Sequence, residues 1–304
     1  MKNIVNVYEA VDANKRRTVL VMVGFVVFIV AAVYVMGRAL GFSGVGYAGM
    51  ALVVSGLMSL GSYYFSDQIV LAISGAREAN RKEFFQFYTV SENLAMAAQL
   101  PKPRLYVIGD SAMNAFATGR DPEHAVICAT TGLLSRLDRT ELEGVIAHEM
   151  SHVRGYDIRL MSIVTILVGM VTLLADWFLR ANFFGGRRER EEGNLGAIFA
   201  IVGLVLALLS PLIATLIKLA LSRRREFAAD AGAVQLTRFP EGLARALEKL
   251  SLDREPLEAA NKATAHLYIV NPLRNRRDAV GWFSGMFATH PPINERIEAL
   301  RAMV

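Results

Sequence analysis

Apolar residues in this chain gather into long uncharged blocks, separated by mixed stretches that carry the charge. Thr18 to Met36 ("TVLVMVGFVVFIVAAVYVM") contains no charged residue. At 1.5 Å per residue it reaches about 28 Å, close to the hydrocarbon thickness of a bilayer. A second uncharged block runs from Tyr47 to Phe65, and a third covers about residues 160–179 with Asp176 near its end. The fourth, Leu195 to Ile217, contains Pro211, which predicts a kink. Four such blocks predict four transmembrane helices. Lys15, Arg16 and Arg17 precede the first, but it exceeds a signal-peptide core and no small-x-small cleavage site follows, so a retained first helix is expected.

The chain therefore divides into a polar N-terminal segment (1–17), two transmembrane helices (18–65), a first soluble part (66–157), a transmembrane hairpin (158–221) and a second soluble part (222–304). In the first soluble part, Arg104–Asp110, Asn114–Gly119 and His124–Gly132 read as short strands, with "RDPE" as a turn between the last two. From Thr140 the pattern becomes helical. Thr140 and Glu143 have capping-box spacing, and Leu142, Val145, Ile146 and Val153 recur on one face. The expected fold class is an α+β membrane protein: four transmembrane helices with a mostly helical domain carrying a small β-sheet.

The net charge of +5 is read through topology. Lys2, Lys15, Arg16 and Arg17 favour a cytoplasmic N-terminus, and Arg77, Arg81 and Lys82 agree after two crossings. The loop "RANFFGGRREREEG" disagrees: counting places it outside, yet it holds four arginines beside three glutamates. No basic stripe with interleaved aromatics supports nucleic-acid binding. Cys128 is the single cysteine, which excludes an internal disulfide framework and a cysteine-rich metal cluster.

The chemistry concentrates in "IAHEMSH", Ile146 to His152. On a helix, His148 and His152 stand one turn apart and can present imidazole nitrogens to one ion. Glu149 falls within the apolar stripe, a costly position unless a metal and its water need the charge. This pattern suits a zinc hydrolase, with Glu149 taking a proton from the attacking water. A hydrolytic site needs a third protein ligand. The continuation "HEMSHVRGYDI" begins like a metzincin, but Ile158 stands where that pattern requires histidine. A spanning hairpin would put Glu189, Glu191 and Glu192 across the bilayer and return the chain beside the motif at "SRRREFAAD". There Glu226 and Asp230 share a helical face. Glu226 could be the ligand and Asp230 the acceptor for a ligand imidazole. Equally, both could be ion-pair partners of Arg223, Arg224 and Arg225.

"HEMSH", the apolar hairpin, "SRRREFAAD" and "THPPINERI", in this order, resemble the HtpX family of membrane zinc endopeptidases over nearly the whole chain. The related CAAX prenyl endopeptidases have additional membrane helices. The resemblance implies a zincin-like, gluzincin-type catalytic domain holding one zinc ion per chain. It implies His148, His152 and Glu226 as ligands and Glu149 as catalytic base. It further implies a bacterial inner membrane, an active site facing the cytoplasm, and degradation of misfolded or damaged membrane proteins, with self-cleavage another expectation.

"MNAFATG" (113–119) resembles the family's strand beside the cleft, where an exposed edge could pair with an extended substrate through Asn114, Ala115 and Phe116. Asn114 could equally just begin a strand. By the same resemblance His290 approaches the zinc and stabilises the developing oxyanion, with Arg296 anchoring it or substrate; alone, His290 reads as structural. His124 and His266 read as structural, and Asp176 and Lys218 as membrane-end residues. Two other functions compete. Intramembrane proteolysis would need the motif inside an apolar span, but Arg136, Asp138, Arg139, Glu141 and Glu143 run directly into it. A scaffold or zinc sensor would need a fourth protein ligand, and no cysteine or histidine stands at a suggestive spacing near Glu226.

Overall fold

The computed structural model describes residues 7–39, 46–167, 169, 223–260, 264–270 and 291–303. The first two apolar blocks are helical, as α1 (Val7–Ala39) and α2 (Gly46–Tyr64), which pack on each other. A short α3 (Ser66–Ile73) follows. The third block opens inside a helical stretch over residues 157–167; its remainder, residue 169 excepted, and the whole fourth block lie outside the described residues, as do the contested loop, Asp176 and Lys218. Among the described residues, no helix is long and apolar enough to cross a membrane.

The remaining described residues are helical around a small mixed sheet. Strands β1 (Arg77–Glu78), β2 (Arg104–Ile108), β3 (Ala115–Thr118) and β4 (Val126–Thr130) lie in the order β1-β2-β4-β3. β2 runs parallel to β4, and the other pairings are antiparallel. Both faces are covered, which explains why β3 and β4 are buried at every position rather than at alternate ones. Leu105, Ala115, Ala117, Ile127 and Ala129 enter one core with α4 (Phe85–Ala98) and α6 (Arg139–Arg154). Phe116 and Cys128 enter a second core with Val21 and Phe25 of α1 and with residues 160–167. The expected "RDPE" turn is a 3₁₀ turn over Pro122–His124, capped by Asp121. His124 is structural, its Nδ1 2.6 Å from the Asp121 carboxylate.

Helix α6 follows a short α5 (Thr131–Arg136) and sits at the centre. It packs against β3, α4, α7 (Arg223–Thr237) and α8 (Pro240–Leu252), and α8 in turn packs on the C-terminal α9 (Ile293–Arg301). Glycine sets two of these approaches. A Cβ on Gly144 would lie 2.6 Å from the Leu243 backbone nitrogen of α8, and one on Gly232 of α7 would lie 2.5 Å from Ser151 Oγ of α6. The capping box is real but sits two residues earlier than Thr140 and Glu143 indicate. Asp138 is the N-cap, accepting from the Glu141 N–H at 2.9 Å while Glu141 accepts from the Asp138 N–H at 2.8 Å. Glu141 wins because it is buried beneath α8 and paired to Lys249 at 2.6 Å, whereas Glu143 points outward to Arg139. Asp138→Ala is expected to cost about 1 kcal/mol of stability, and Thr140→Ala only a few tenths; thermal unfolding of the two variants measures the difference.

Candidate metal centre

Eleven residues of α6 are buried, His148, Glu149 and His152 among them. The stacked rings stand edge-to-face with centroids 4.7 Å apart, and their Nε2 atoms are 3.2 Å apart. Across from them α7 presents Glu226, with Oε2 3.7 Å from His148 Nε2 and Oε1 3.6 Å from His152 Nε2. One ligand atom from each of the three residues falls within 4.8 Å of the others. Ligands about 2.0–2.1 Å from a tetrahedral ion would lie about 3.4 Å from one another, so the spacing fits one divalent cation held by two imidazoles and a carboxylate. Ile158, the position a metzincin would fill with histidine, is buried in the core.

Each imidazole is held from behind by a carboxylate, and each carboxylate by a cation. His148 Nδ1 lies 2.9 Å from Asp230 Oδ1. Asp230, one turn beyond Glu226 on α7, accepts from Arg296 Nε at 2.9 Å and Nη2 at 2.6 Å. This two-point grip sits in a fully buried setting. Burial works against the Asp230 charge, but Arg296 and His148 outweigh it and hold the carboxyl below its usual range. His152 Nδ1 lies 3.1 Å from Asp157 Oδ2. Asp157 is held by Asn14 Nδ2 of α1 at 2.7 Å and Arg225 Nη1 at 3.3 Å. Fixing the donor tautomer at each Nδ1 leaves each Nε2 lone pair free to bind a cation. The ion-pair alternative for Glu226 and Asp230 thus takes a different form: Arg225 pairs with Asp157, and the cation on Asp230 is Arg296.

Burial opposes charge on His152, yet Asp157, Glu226 and Glu149 overcome it and push its pKa up to about 9. Burial is also the main influence on Glu149, raising its pKa; the His148 and His152 charges pull the other way and Glu226 adds to the rise. The backbone N–H of Ala117 on β3 favours the charged form of Glu149, so the edge strand runs directly beside it.

That edge differs from the free strand the sequence suggests. All four β3 residues are buried, and part of its outer side already meets the chain's own residues 269–270. Ile269 N–H donates to the Ala115 carbonyl at 3.0 Å, and Asn114 Nδ2 donates to the Val270 carbonyl at 2.9 Å. Phe116 points away from the metal residues, packing edge-on against Tyr268 with centroids 5.1 Å apart. Arg296 is fully buried behind His148. His290 lies outside the described residues, and His266 lies in a 3₁₀ turn over Ala265–Leu267.

Sequence reasoning missed Asp157 and its two holders. The available signal was an acid five residues after His152, across the Gly155–Tyr156 turn in which Tyr156 adopts φ +57°; that reversal points Asp157 back at the ligand.

Comparison with known proteins agrees with this geometry. Residues 81–304 match the model of Peptidase family M48. "Protease HtpX homolog" of Dictyoglomus thermophilum is 45% identical over 298 residues, covering 97% of this chain and 94% of its own. The protein of the same name from Limosilactobacillus fermentum is 44% identical, covering 97% and 99%. A crystal structure of S. mikatae Ste24p superposes with a TM-score of 0.50 at 21% identity, over 98% of this chain and 67% of that one, a likeness of fold. A buried His-His-Glu cluster shared by the central helix α6 and its neighbour α7, beside Glu149 and the β3 edge, is the arrangement of a metallopeptidase. The chain belongs to peptidase family M48 and is a zinc metalloprotease of that class.

Two outcomes follow from this geometry. Asp157→Asn should weaken divalent-metal affinity by about 10–100-fold through loss of His152 orientation, measured by competition with a chromogenic chelator. The pH dependence has a definite sign. A His152 pKa raised from 6.5 to about 9 in the metal-free protein stabilises that form fully below pH 6.5 and progressively less toward pH 9. Metal must displace that proton, so affinity should rise with pH over this window with release of about one proton per ion near pH 7.5, read by calorimetry in buffers of different ionisation enthalpy.

Proposed function

We propose that this chain is a membrane-embedded zinc endopeptidase in which His148, His152 and Glu226 hold one zinc ion and Glu149 is the general base. The observation that carries the reading is the convergence of both Nε2 atoms and the Glu226 carboxylate at 3.2–3.7 Å. A site of two imidazoles and one carboxylate suits zinc and leaves a fourth coordination position for the reaction. When bound, zinc supplies Lewis acidity to a water molecule and to the scissile carbonyl. Glu149 receives the proton of the attacking water and delivers it to the departing amine; the raised pKa that its burial produces suits both halves of that transfer. Asp230 and Asp157 keep the imidazoles in register, and Arg296 acts here through Asp230, positioning His148 instead of contacting substrate.

Substrate would lie along β3 as an extended segment, its main chain meeting Asn114 and Ala115. Residues 269–270 hold part of that edge, so such a substrate pairs beside them or replaces them. His290 is assigned to the oxyanion by family likeness.

Four membrane crossings are part of this reading. They are supported by the uncharged blocks and by large apolar side chains standing outward on α1 and α2. Val19, Leu20, Val23, Val27, Met50, Val53 and Leu57 are each more than half exposed, a surface that water does not favour. The basic residues before the first block favour a cytoplasmic site. We assign the setting to a bacterial inner membrane, and the substrates to misfolded or damaged membrane proteins and to the chain itself, on family likeness.

The test is Glu149→Gln in detergent-solubilised full-length protein. Zinc stoichiometry should stay near one per chain while hydrolysis of an unfolded protein falls by about 10²–10⁴-fold or more. Wild-type activity in a zinc-loaded Glu149→Gln protein would remove Glu149 from its role. Zinc binding unaffected by Glu226→Ala would remove the third ligand.

A further inference from the structure

A cavity of about 600 Å³ opens where the N-terminal part of α1 and the end of α6 meet α7 along its length from Arg224 to Leu236. Its size lies within the range of small-ligand pockets, about 300–1,000 Å³. Four arginines line it, Arg17, Arg154, Arg224 and Arg225, against one acid, Asp157. That carboxylate is already engaged by Arg225, Asn14 and His152. Arg17, Arg154 and Arg224 are exposed, and none of the three makes an ion pair among the described residues. Unpaired like charges converging on one concavity are unfavourable unless an anion joins them, and guanidinium groups suit the oxygens of a phosphate.

The position of the cavity selects among phosphates. Arg17 is the last residue before the first apolar block. On α1, Leu20 and Val27 continue the helical face of Ala13 and Arg17 at spacings of three and four; Ala13 and Arg17 line the cavity, and Leu20 and Val27 are 64% and 62% exposed. A ligand seated here meets cations at one end and an outward apolar stripe at the other. We propose that this cavity is a binding site for the phosphate headgroup of an anionic phospholipid, whose acyl chains run along the Leu20–Val27 face of α1. The inference rests on the membrane reading of α1. It adds a specific lipid contact, joined through Arg225 and Asp157 to His152.

The experiment uses the full-length chain reconstituted in nanodiscs of phosphatidylcholine doped with phosphatidylglycerol, with native mass spectrometry of the lipids retained on release. The variants are Arg17→Gln, Arg154→Gln and Arg224→Gln, singly and together, with the matching Lys substitutions as charge-preserving controls. Arg225 is left intact because it holds Asp157. Wild type should retain phosphatidylglycerol over phosphatidylcholine. Each Gln substitution should lower that preference by about fivefold, following the contribution of one surface cation to anionic-lipid attraction. The Lys set should keep most of it, and zinc stoichiometry should be unchanged throughout as a check on folding. Equal retention of the two lipids by wild type, or an undiminished preference in the triple Gln variant, overturns the proposal. So does displacement of phosphatidylglycerol by equimolar inorganic phosphate or by an acidic peptide, which would assign the cations to a soluble anion or to a polypeptide. Failure of the protein to insert into discs of either composition would refute the membrane reading itself, an outcome distinct from insertion without headgroup preference.

Discussion

Everything in this site depends on keeping charge buried without leaving it uncompensated. Two imidazoles, four carboxylates around them (Glu149, Asp157, Glu226 and Asp230) and the guanidinium of Arg296 are shut away from solvent, where a single unpaired ion would be strongly unfavourable. The arrangement resolves this in two strands of alternating charge, Arg296–Asp230–His148 and Arg225–Asp157–His152, which meet at Glu226. Removing any one member leaves its neighbour exposed to the full desolvation cost. The grip of Arg296 on Asp230 therefore has structural consequences well beyond that pair: it ties the C-terminal helix α9 to α7 and to the ligand-bearing α6.

This constraint also accounts for the close helix packing. Opposed ligands must meet within a few ångströms, and Gly232 lets α7 approach α6 closely enough to bring Glu226 and Asp230 within reach of the histidines. Gly144 does the same for α8 on another side of the helix. The sheet behind contributes rigidity, with both faces covered, and delivers the Ala117 backbone N–H to Glu149. Geometry at the centre is thus fixed by elements far apart in the chain, from α1 to α9.

Much of this was legible in the sequence where the interaction is local. The His148–His152 spacing, the strands around residues 104–130 and the shared face of Glu226 and Asp230 are short-range patterns that a helix or strand converts directly into geometry. The capping box was legible in kind and displaced in position, because tertiary burial of Glu141 under α8 outweighed a pattern that Thr140 and Glu143 fit equally well. What the sequence could not supply were contacts between distant segments. Asn14 reaches Asp157 across 143 positions, and Arg296 meets His148 across 148. The occupation of the β3 edge by residues 269–270 is of the same kind: nothing in "NAFATG" announces which segment covers it.

The contact between Asn14 and Asp157 has one further implication. The recognisable peptidase region begins at residue 81, and a fragment trimmed to that boundary would keep every ligand. It would nevertheless lack the amide that steadies the carboxylate behind His152. The N-terminal helix is therefore part of the support of the site, and severing the two would loosen the His152 imidazole.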